Sequence, residues 1–240
     1  MTTLATELAH SFVDAFRADP AAAQARYCRQ AAPFLAPAGA AHVINLALAD
    51  GDFFAVHRHF FLHDGDRGCV VMDICRVEGG AVVEHWDVVQ HVPGTILHGN
   101  TMWRGAGNTF AEARALAHPL ECWPDPRAEG AASIAVVDAY RAHLDQDVRG
   151  AIERWLAPDY VQHSPHIPDG AEAAIAYFLP RVGKPKPQAP YSRVIAQGDL
   201  ALYHRRVVRP GGPPEGRMQV DIFRVADGRI AEHWDVMQDV

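Results

Sequence analysis

A block of twenty residues occurs twice in the chain, and this repeat limits the folds that the chain can adopt. Residues 73–92 read DICRVEGGAVVEHWDVVQHV and residues 221–240 read DIFRVADGRIAEHWDVMQDV, with twelve of the twenty positions identical at an offset of 148. Two copies at a domain-sized separation are too few for a solenoid of short repeats. The pattern therefore predicts two related domains that each close on the same β-hairpin.

Composition excludes several classes of protein. A chain of 240 residues with 49% apolar and 21% charged residues is typical of a globular protein with two cores. A net charge of −7 without a basic cluster argues against a nucleic-acid surface. No apolar run reaches the roughly 20 residues of a membrane span, and the N-terminus lacks the apolar core of a signal peptide. We therefore expect a cytoplasmic protein that binds neither nucleic acid nor membranes.

The cysteines do not indicate a metal or disulfide framework. Cys28, Cys69, Cys75 and Cys122 show no CxxC spacing. This argues against a zinc knuckle, and chains with adequate cores rarely need disulfides. Serine-hydrolase (GxSxG), P-loop and dinucleotide-binding (GxGxxG) motifs are also missing from the sequence.

The second half reads as helices followed by a meander of strands. Apolar spacing predicts a helix from Ser133 to about Asp145, with Arg141 on its solvent-facing side, and Asp147 caps a short second helix. Residues 157–170 contain three prolines and a terminal glycine, which predict a loop. A third helix follows, and alternating segments then predict four strands at 191–197, 200–209, 217–225 and 229–238. Helices covering one face of an antiparallel sheet define an α+β domain.

The first half follows the same plan. Leu4, Leu8, Phe12 and Phe16 form a helical stripe, and Asp19-Pro20 favours the start of a second helix. We place the first domain at 1–117, a linker at 118–131 and the second domain at 132–240.

The second copy of the hairpin gathers ionisable side chains. If Ala226-Asp227-Gly228 is a three-residue loop, Val225 pairs with Arg229 and Asp221 lies opposite His233. Alternation then puts Asp221, Phe223, His233 and Asp235 on one face, and Val220, Ile222, Ile230, Trp234 and Val236 on the other.

Two interpretations of this face remain open. Two carboxylates and an imidazole are suited to general acid–base catalysis, and a solvent-facing polar side would give the same pattern. A two-residue turn would shift the register and put Trp234 on the face of Asp221.

A histidine-containing loop is the second candidate for chemistry. His163 and His166 lie three residues apart on the proline-stiffened loop, and His204 adds an imidazole on a following strand. These side chains fit ordinary surface histidines as well as a pocket, and their spacing matches no zinc signature of the HExxH kind. We therefore predict neither a metal nor a cofactor.

The strings YVQHSPHIPDGAEA and VDIFRVADGRIAEHWDVMQ resemble the SnoaL-like branch of the nuclear transport factor 2-like superfamily. This resemblance covers residues 133–240. The first half shares the EHWDVVQ hairpin and a tail-like VPGTILHGNTMW, but it offers Gln30 and Phe34 in place of His163 and His166. The resemblance implies two tandem cone-shaped α+β barrels, each a curved antiparallel sheet wrapped by helices around a pocket, with the first degenerate as a catalyst.

The resemblance also implies a function and site residues. Relatives include polyketide cyclases, ketosteroid isomerases, dehydratases and epoxide hydrolases, and in the cyclases the acid/base residue matches Asp235. We expect a cofactor-independent lyase, isomerase or cyclase acting on a carbonyl-containing, partly apolar small molecule. The expected catalytic residues are Asp235, Asp221, His163, His166, His204 and His233, and the expected pocket residues are Tyr160, Phe178, Phe223 and Trp234.

Other functions and assemblies stay open at this stage. A non-catalytic module that binds a small ligand would have a pocket without a buried ionisable group, and a metal-dependent enzyme would use the histidine and aspartate set. Because family members often dimerise through their sheets, we expect the two domains to form an intramolecular pseudo-dimer, with a homodimer as a further option.

Overall fold

The computed structural model describes residues 3–28, 34–103, 109–115, 123–184, 187 and 189–240. The backbone divides into two units, the first comprising Met1–Val92 and Trp103–Pro124 and the second comprising Pro93–Met102 and Asp125–Val240. Residues 93–102, which follow the first hairpin in the sequence and read as its tail, thus belong to the second unit.

The first unit packs helices on an antiparallel meander. Its elements are α1 (Leu4–Ala18), α2 (Pro20–Tyr27), β1 (Ala41–Asp50), β2 (Phe53–Phe61), β3 (Cys69–Glu78), β4 (Ala81–His91) and α3 (Phe110–Ala115). The strands follow the order β1-β2-β3-β4. Asp19 caps α2 by accepting hydrogen bonds from the N–H groups of Ala21 and Ala22, which confirms the predicted helix start. Phe12 and Phe16 of α1 pack against Phe54 of β2 in the core.

The second unit has the same plan, with one more strand among the described residues. Its elements are α4 (Gly130–Leu144), α5 (Val148–Trp155), β5 (Leu156–Gln162), α6 (Ala171–Phe178), a 3₁₀ turn (Leu179–Arg181), β6 (Tyr191–Gln197), β7 (Leu200–Val207), β8 (Arg217–Ala226) and β9 (Arg229–Asp239). The sheet order is β5-β9-β8-β7-β6, with β5 parallel to β9 and the other pairs antiparallel. Asp147 caps α5 as predicted, through the N–H of Gly150.

The prediction that residues 157–170 contain no regular structure is wrong, because β5 occupies the first part of this range. Its proline is tolerated since β5 lies at an edge of the sheet. The register places Gln162 beside His233. This strand therefore brings the start of the histidine loop to the hairpin.

One face of the second sheet packs against the helices. Val137 of α4, Ile152 of α5 and Ile175 of α6 share a core with Tyr203 of β7 and Phe223 of β8. This arrangement confirms the predicted α+β class. Among the described residues, none of the helices has the length and hydrophobicity that crossing a membrane requires.

Candidate active site

The β8–β9 hairpin turns through two residues and not through the predicted three. Ala226 pairs with Arg229, and the turn residues Asp227 and Gly228 have φ angles of 50° and 71°. Two consecutive left-handed residues are typical of a type I′ turn, which asparagine, aspartate and glycine tolerate best. The predicted three-residue loop is therefore wrong.

A β-bulge restores the face that the shorter turn would have disturbed. Arg224 pairs with Glu232 and Val225 pairs with Ile230, so that Ala231 is an extra residue on β9. The first copy has the same irregularity after Arg76. Beyond the bulge, paired residues of β8 and β9 point their side chains to the same face of the sheet.

The alternation gathers the three predicted ionisable side chains on the helix-covered face. Asp221 pairs with Asp235, and not with His233 as the three-residue loop required; His233 pairs with Phe223. All three ionisable side chains are buried, at 4%, 5% and 3% exposure for Asp221, His233 and Asp235. One ligand-type atom from each lies within 4.8 Å of the others. We call these residues the acidic cluster.

Asp221 is held as an anion by cationic neighbours. Arg205 of β7 approaches its carboxylate at 2.8 Å, and Arg141 of α4 approaches it at 3.3 Å. Gln219 donates a hydrogen bond at 2.9 Å, and Nε2 of His233 lies 3.4 Å away. Burial raises the pKa of Asp221, but His233 and the two guanidinium groups outweigh burial and bring the pKa well below its ordinary 3.8.

Asp235 shows the opposite shift. Its pKa is raised from 3.8 to about 6, because burial and the negative charge of Asp221 raise the pKa more than the positive charge of His233 lowers it. Its Oδ1 has no hydrogen-bond partner among the described residues. The Ser164 hydroxyl lies near enough to lower the pKa of Asp235, yet it too has no partner with hydrogen-bond geometry in the described part of the chain. Two adjacent carboxyl groups thus titrate in different pH ranges.

Gln162 at the end of β5 fixes the imidazole of His233. The backbone N–H of Ser164 donates to Oε1 of Gln162 at 2.8 Å, which identifies this atom as the oxygen of the amide. Nδ1 of His233 lies 2.9 Å from the same oxygen and therefore carries a proton. Nε2 faces the carboxylate of Asp221, so the two ring nitrogens contact two different acceptors.

Tyr160 connects the acidic cluster to a cavity. Nε2 of Gln162 donates to the Tyr160 hydroxyl at 2.7 Å. Burial raises the pKa of Tyr160 well above 10, with further contributions from Tyr140, Asp169 and Asp235. Tyr160 also lines a cavity of about 210 Å³ between α5, β5 and the start of α6.

Two of the predicted catalytic histidines lie on the other face of the sheet. The His163 ring stacks on Trp234 at 4.9 Å, with Nε2 3.3 Å from Glu232. His204 is buried opposite Val220, and burial lowers its pKa to about 4. Strand alternation separates both imidazoles from the acidic cluster, so their predicted place in one pocket with Asp235 is wrong.

The remaining predicted site residues lie in different surroundings, and Phe223 contacts a member of the acidic cluster directly. His166 is exposed, and partial burial together with the charge of Arg217 lowers its pKa. Trp234 faces away from the acidic cluster, since it pairs with Ile222, so its predicted place in the pocket is wrong. Phe223 stacks on His233 at 4.6 Å, whereas Phe178 packs partly buried against the core.

Four residues of the site were not predicted: Arg141, Arg205, Gln162 and Gln219. Arg141 was assigned to the solvent side of its helix, but its guanidinium lies 4.2 Å from the ring centre of Tyr203. The spacing contained a signal, because position 141 follows Val137 by one helical turn. Arg205 also had a signal, since it repeats as Arg58 in the first copy.

The first unit keeps the ionic part of this arrangement. Arg58 contacts Asp73 at 2.5 Å, and Nε2 of His85 lies 2.9 Å from the same carboxylate. Burial raises the pKa of Asp73, but Arg58 and His85 outweigh it and lower the pKa overall. Asp87, the counterpart of Asp235, is exposed.

Phe34 replaces the polar partner of the histidine in the first unit. In the first unit a β-bridge pairs Cys28 with Val82, and the equivalent pair in the second unit is Leu156 with Ile230. Phe34 follows Cys28 at the same interval as Gln162 follows Leu156, so the two positions are equivalent. The Phe34 ring stacks on His85 at 4.0 Å and is buried. Phe34 was predicted to replace His166, and this alignment with Gln162 corrects that prediction. Gln30, which was predicted to replace His163, lies outside the described residues.

Comparison with known proteins gives one family and several structures. A family model for the SnoaL-like domain matches residues 135–233. No curated protein matches the sequence. Similar solved structures include TsrD from Streptomyces laurentii, which is 24% identical, covers 45% of this chain and 90% of its own and has a TM-score of 0.34. A LEH-like epoxide hydrolase from M. tuberculosis is 20% identical over 45% of this chain and 84% of its own, with a TM-score of 0.37. An NTF2-like protein of unknown function from Mesorhizobium loti is 19% identical over 48% of this chain and 96% of its own, with a TM-score of 0.38.

The family match begins in α4 and ends within β9, so it includes Gln162, Asp221 and His233 and stops two residues before Asp235. Residues 135–233 of this chain are a SnoaL-like domain.

Proposed function

We propose that the second unit catalyses cofactor-independent proton transfer on a small, partly apolar carbonyl compound, as a lyase, isomerase or cyclase with Asp235 as general base. The observation that carries this proposal is the split pair of carboxyl groups. Asp221 is paired with Arg205 and Arg141, whereas Asp235 is buried with its pKa raised to about 6 and with Oδ1 unpartnered among the described residues. A base whose pKa lies near the working pH is efficient in both directions of proton transfer.

The proposed reaction begins at a carbon next to a carbonyl group. Asp235 takes a proton from this carbon, and the electron pair of the C–H bond moves to form an enolate. The positive charges of Arg141 and Arg205 offset the negative charge that develops, and the hydroxyl groups of Ser164 and Tyr160 are neutral donors of this network. Asp235 then returns the proton to another carbon, or the enolate expels a leaving group.

A purely ligand-binding module would require only an apolar pocket. The acidic cluster places three ionisable side chains under the helices, and burying such groups disfavours folding unless they are paired. Among the described residues, Asp235 forms no salt bridge with an arginine of the kind that Asp221 forms with Arg141 and Arg205. Its burial supports catalysis over simple binding.

A divalent cation is the alternative that the spacing of the acidic cluster suggests. Its donor atoms are already in use, because Asp221 contacts two guanidinium groups and His233 contacts Gln162. A cation at this position would be repelled by Arg141 and Arg205. We therefore propose acid–base chemistry without a metal.

The test uses 5-nitrobenzisoxazole, whose ring opens once a single C–H proton is abstracted by a base. The wild-type protein should open the ring faster than free carboxylate, and Asp235→Asn should reduce the rate at least about 100-fold, the usual contribution of a general base. The matched control is Asp87→Asn, which changes the exposed counterpart in the first unit. Equal rates for the wild type and Asp235→Asn would refute the proposal, and loss of the wild-type rate on treatment with a chelator would favour the metal.

A further inference from the structure

Residues 93–102, which we call the crossing segment, follow β4 in the sequence but belong to the second unit. They run along the loop that follows β5. The N–H of Leu97 donates to the Pro165 carbonyl at 3.1 Å, and the Thr101 carbonyl accepts a hydrogen bond from Nδ1 of His163 at 2.7 Å. The loop that carries Ser164 is thus bonded to a segment more than sixty residues earlier in the chain.

Asn100 holds the backbone of Gln162. Its Nδ2 donates to the Gln162 carbonyl at 3.0 Å and to Oδ2 of Asp169 at 2.8 Å, which uses both hydrogens of the amide. The other oxygen of Asp169 accepts a hydrogen bond from the N–H of Gln162 at 3.0 Å. Both polar groups of the Gln162 peptide are therefore fixed by the same pair of side chains.

His98 holds the neighbouring peptide. Its Nε2 donates to the Ser164 carbonyl at 2.7 Å, and its Nδ1 accepts the N–H of Asn100 at 3.1 Å. These two contacts require the neutral ring with its proton on Nε2. His98 thereby ties Asn100 to the residue whose N–H orients the side chain of Gln162.

We propose that the crossing segment is a positioning element of the active site. Asn100 and His98 fix the peptides at Gln162 and Ser164, Gln162 fixes the Nδ1–H of His233, and His233 faces the carboxylate of Asp221. The second unit then depends on a segment that lies before the second domain in the sequence. The inference shares its site with the proposed function, but its central statement concerns the orientation of His233.

The test reads the ring nitrogens of His233 by isotope-edited NMR in the full-length protein. In the wild type the Nδ1–H proton should exchange slowly with solvent, because it is buried and bonded to Gln162. Asn100→Ala should abolish this slowly exchanging signal and shift the titration midpoint of Asp235. Thr95→Ala, an exposed change in the same segment, should leave both unaltered.

A second pair of variants separates positioning from folding. His98→Ala should also remove the signal, and His98→Gln should restore it because the glutamine amide can still donate to the Ser164 carbonyl. An unchanged Nδ1–H signal in folded Asn100→Ala or His98→Ala would overturn the inference, as would equal loss in Thr95→Ala or failure of His98→Gln to restore it. If Asn100→Ala removes the signal while Asp235→Asn keeps the rate of ring opening, the positioning role stands and the proposed function fails.

Discussion

Replacing Asp235 with asparagine should stabilise the protein near neutral pH. Burial raises the pKa of Asp235 from 3.8 to about 6, which means that folding disfavours its ionised form. Since one pKa unit is worth about 1.4 kcal/mol, ionised Asp235 lowers the free energy of unfolding by roughly 3 kcal/mol above about pH 7. An asparagine of the same shape carries no charge and avoids this cost.

The gain should depend on pH in one direction. A carboxyl group with a raised folded-state pKa stabilises the fold fully when protonated, below its unfolded pKa of about 3.9. This contribution is lost as the pH rises through about 6. The difference between Asp235→Asn and the wild type should therefore be small near pH 4 and grow to roughly 3 kcal/mol by about pH 8.

Urea unfolding of both proteins across this pH range measures the difference directly. Asp87→Asn provides the control, because it makes the same chemical change at an exposed position of the first unit. A constant difference for Asp235→Asn, or one that falls as the pH rises, would refute the reasoning.

Three further predictions concern the surroundings of the site. Arg205→Met removes the closest cationic partner of Asp221 and should cost less than the roughly 3–5 kcal/mol of an unpaired buried charge, since a second guanidinium remains; a urea midpoint equal to that of the wild type would contradict this. Phe34→Ala should lower the free energy of unfolding of the first unit by about 3–5 kcal/mol, while Leu62→Ala, a change at an exposed leucine, should cost less than about 0.5 kcal/mol in the same assay. Deletion of Ala231 should abolish cooperative unfolding, because it removes the bulge and turns every later residue of β9 to the other face; a deletion variant with wild-type near-UV circular dichroism would disprove this role of the bulge.

The face of the hairpin could be predicted from the sequence although its turn could not. Alternation alone put Asp221, His233 and Asp235 together, and the structure reaches that arrangement through a two-residue turn and a bulge at Ala231. The two differences cancel because each shifts the parity of the strand by one residue. The bulge could not be read from the local sequence, so the predicted register paired Asp221 with His233 and not with Asp235.

The partners of the acidic cluster were harder to predict, since they arrive from other elements. The parallel register of β5 puts Gln162 beside His233 and turns His163 to the face of Trp234. Local pattern does not encode that register, because it depends on contacts about seventy residues apart. The contact of Asn100 with Gln162 could not be predicted for the same reason. Such contacts between residues distant in sequence are determined by the tertiary fold and not by local sequence patterns.

The central claim is that the two buried carboxyl groups of the acidic cluster are divided into a fixed anion and a titrating base. Isotope-edited NMR of the aspartate side-chain carboxyl carbons, assigned with Asp235→Asn and Asp221→Asn, measures both titrations in one sample. We expect Asp235 to titrate with a midpoint of about 6, and Asp221 to stay ionised well below its ordinary 3.8. A midpoint for Asp235 at or below its ordinary 3.8 would contradict the account.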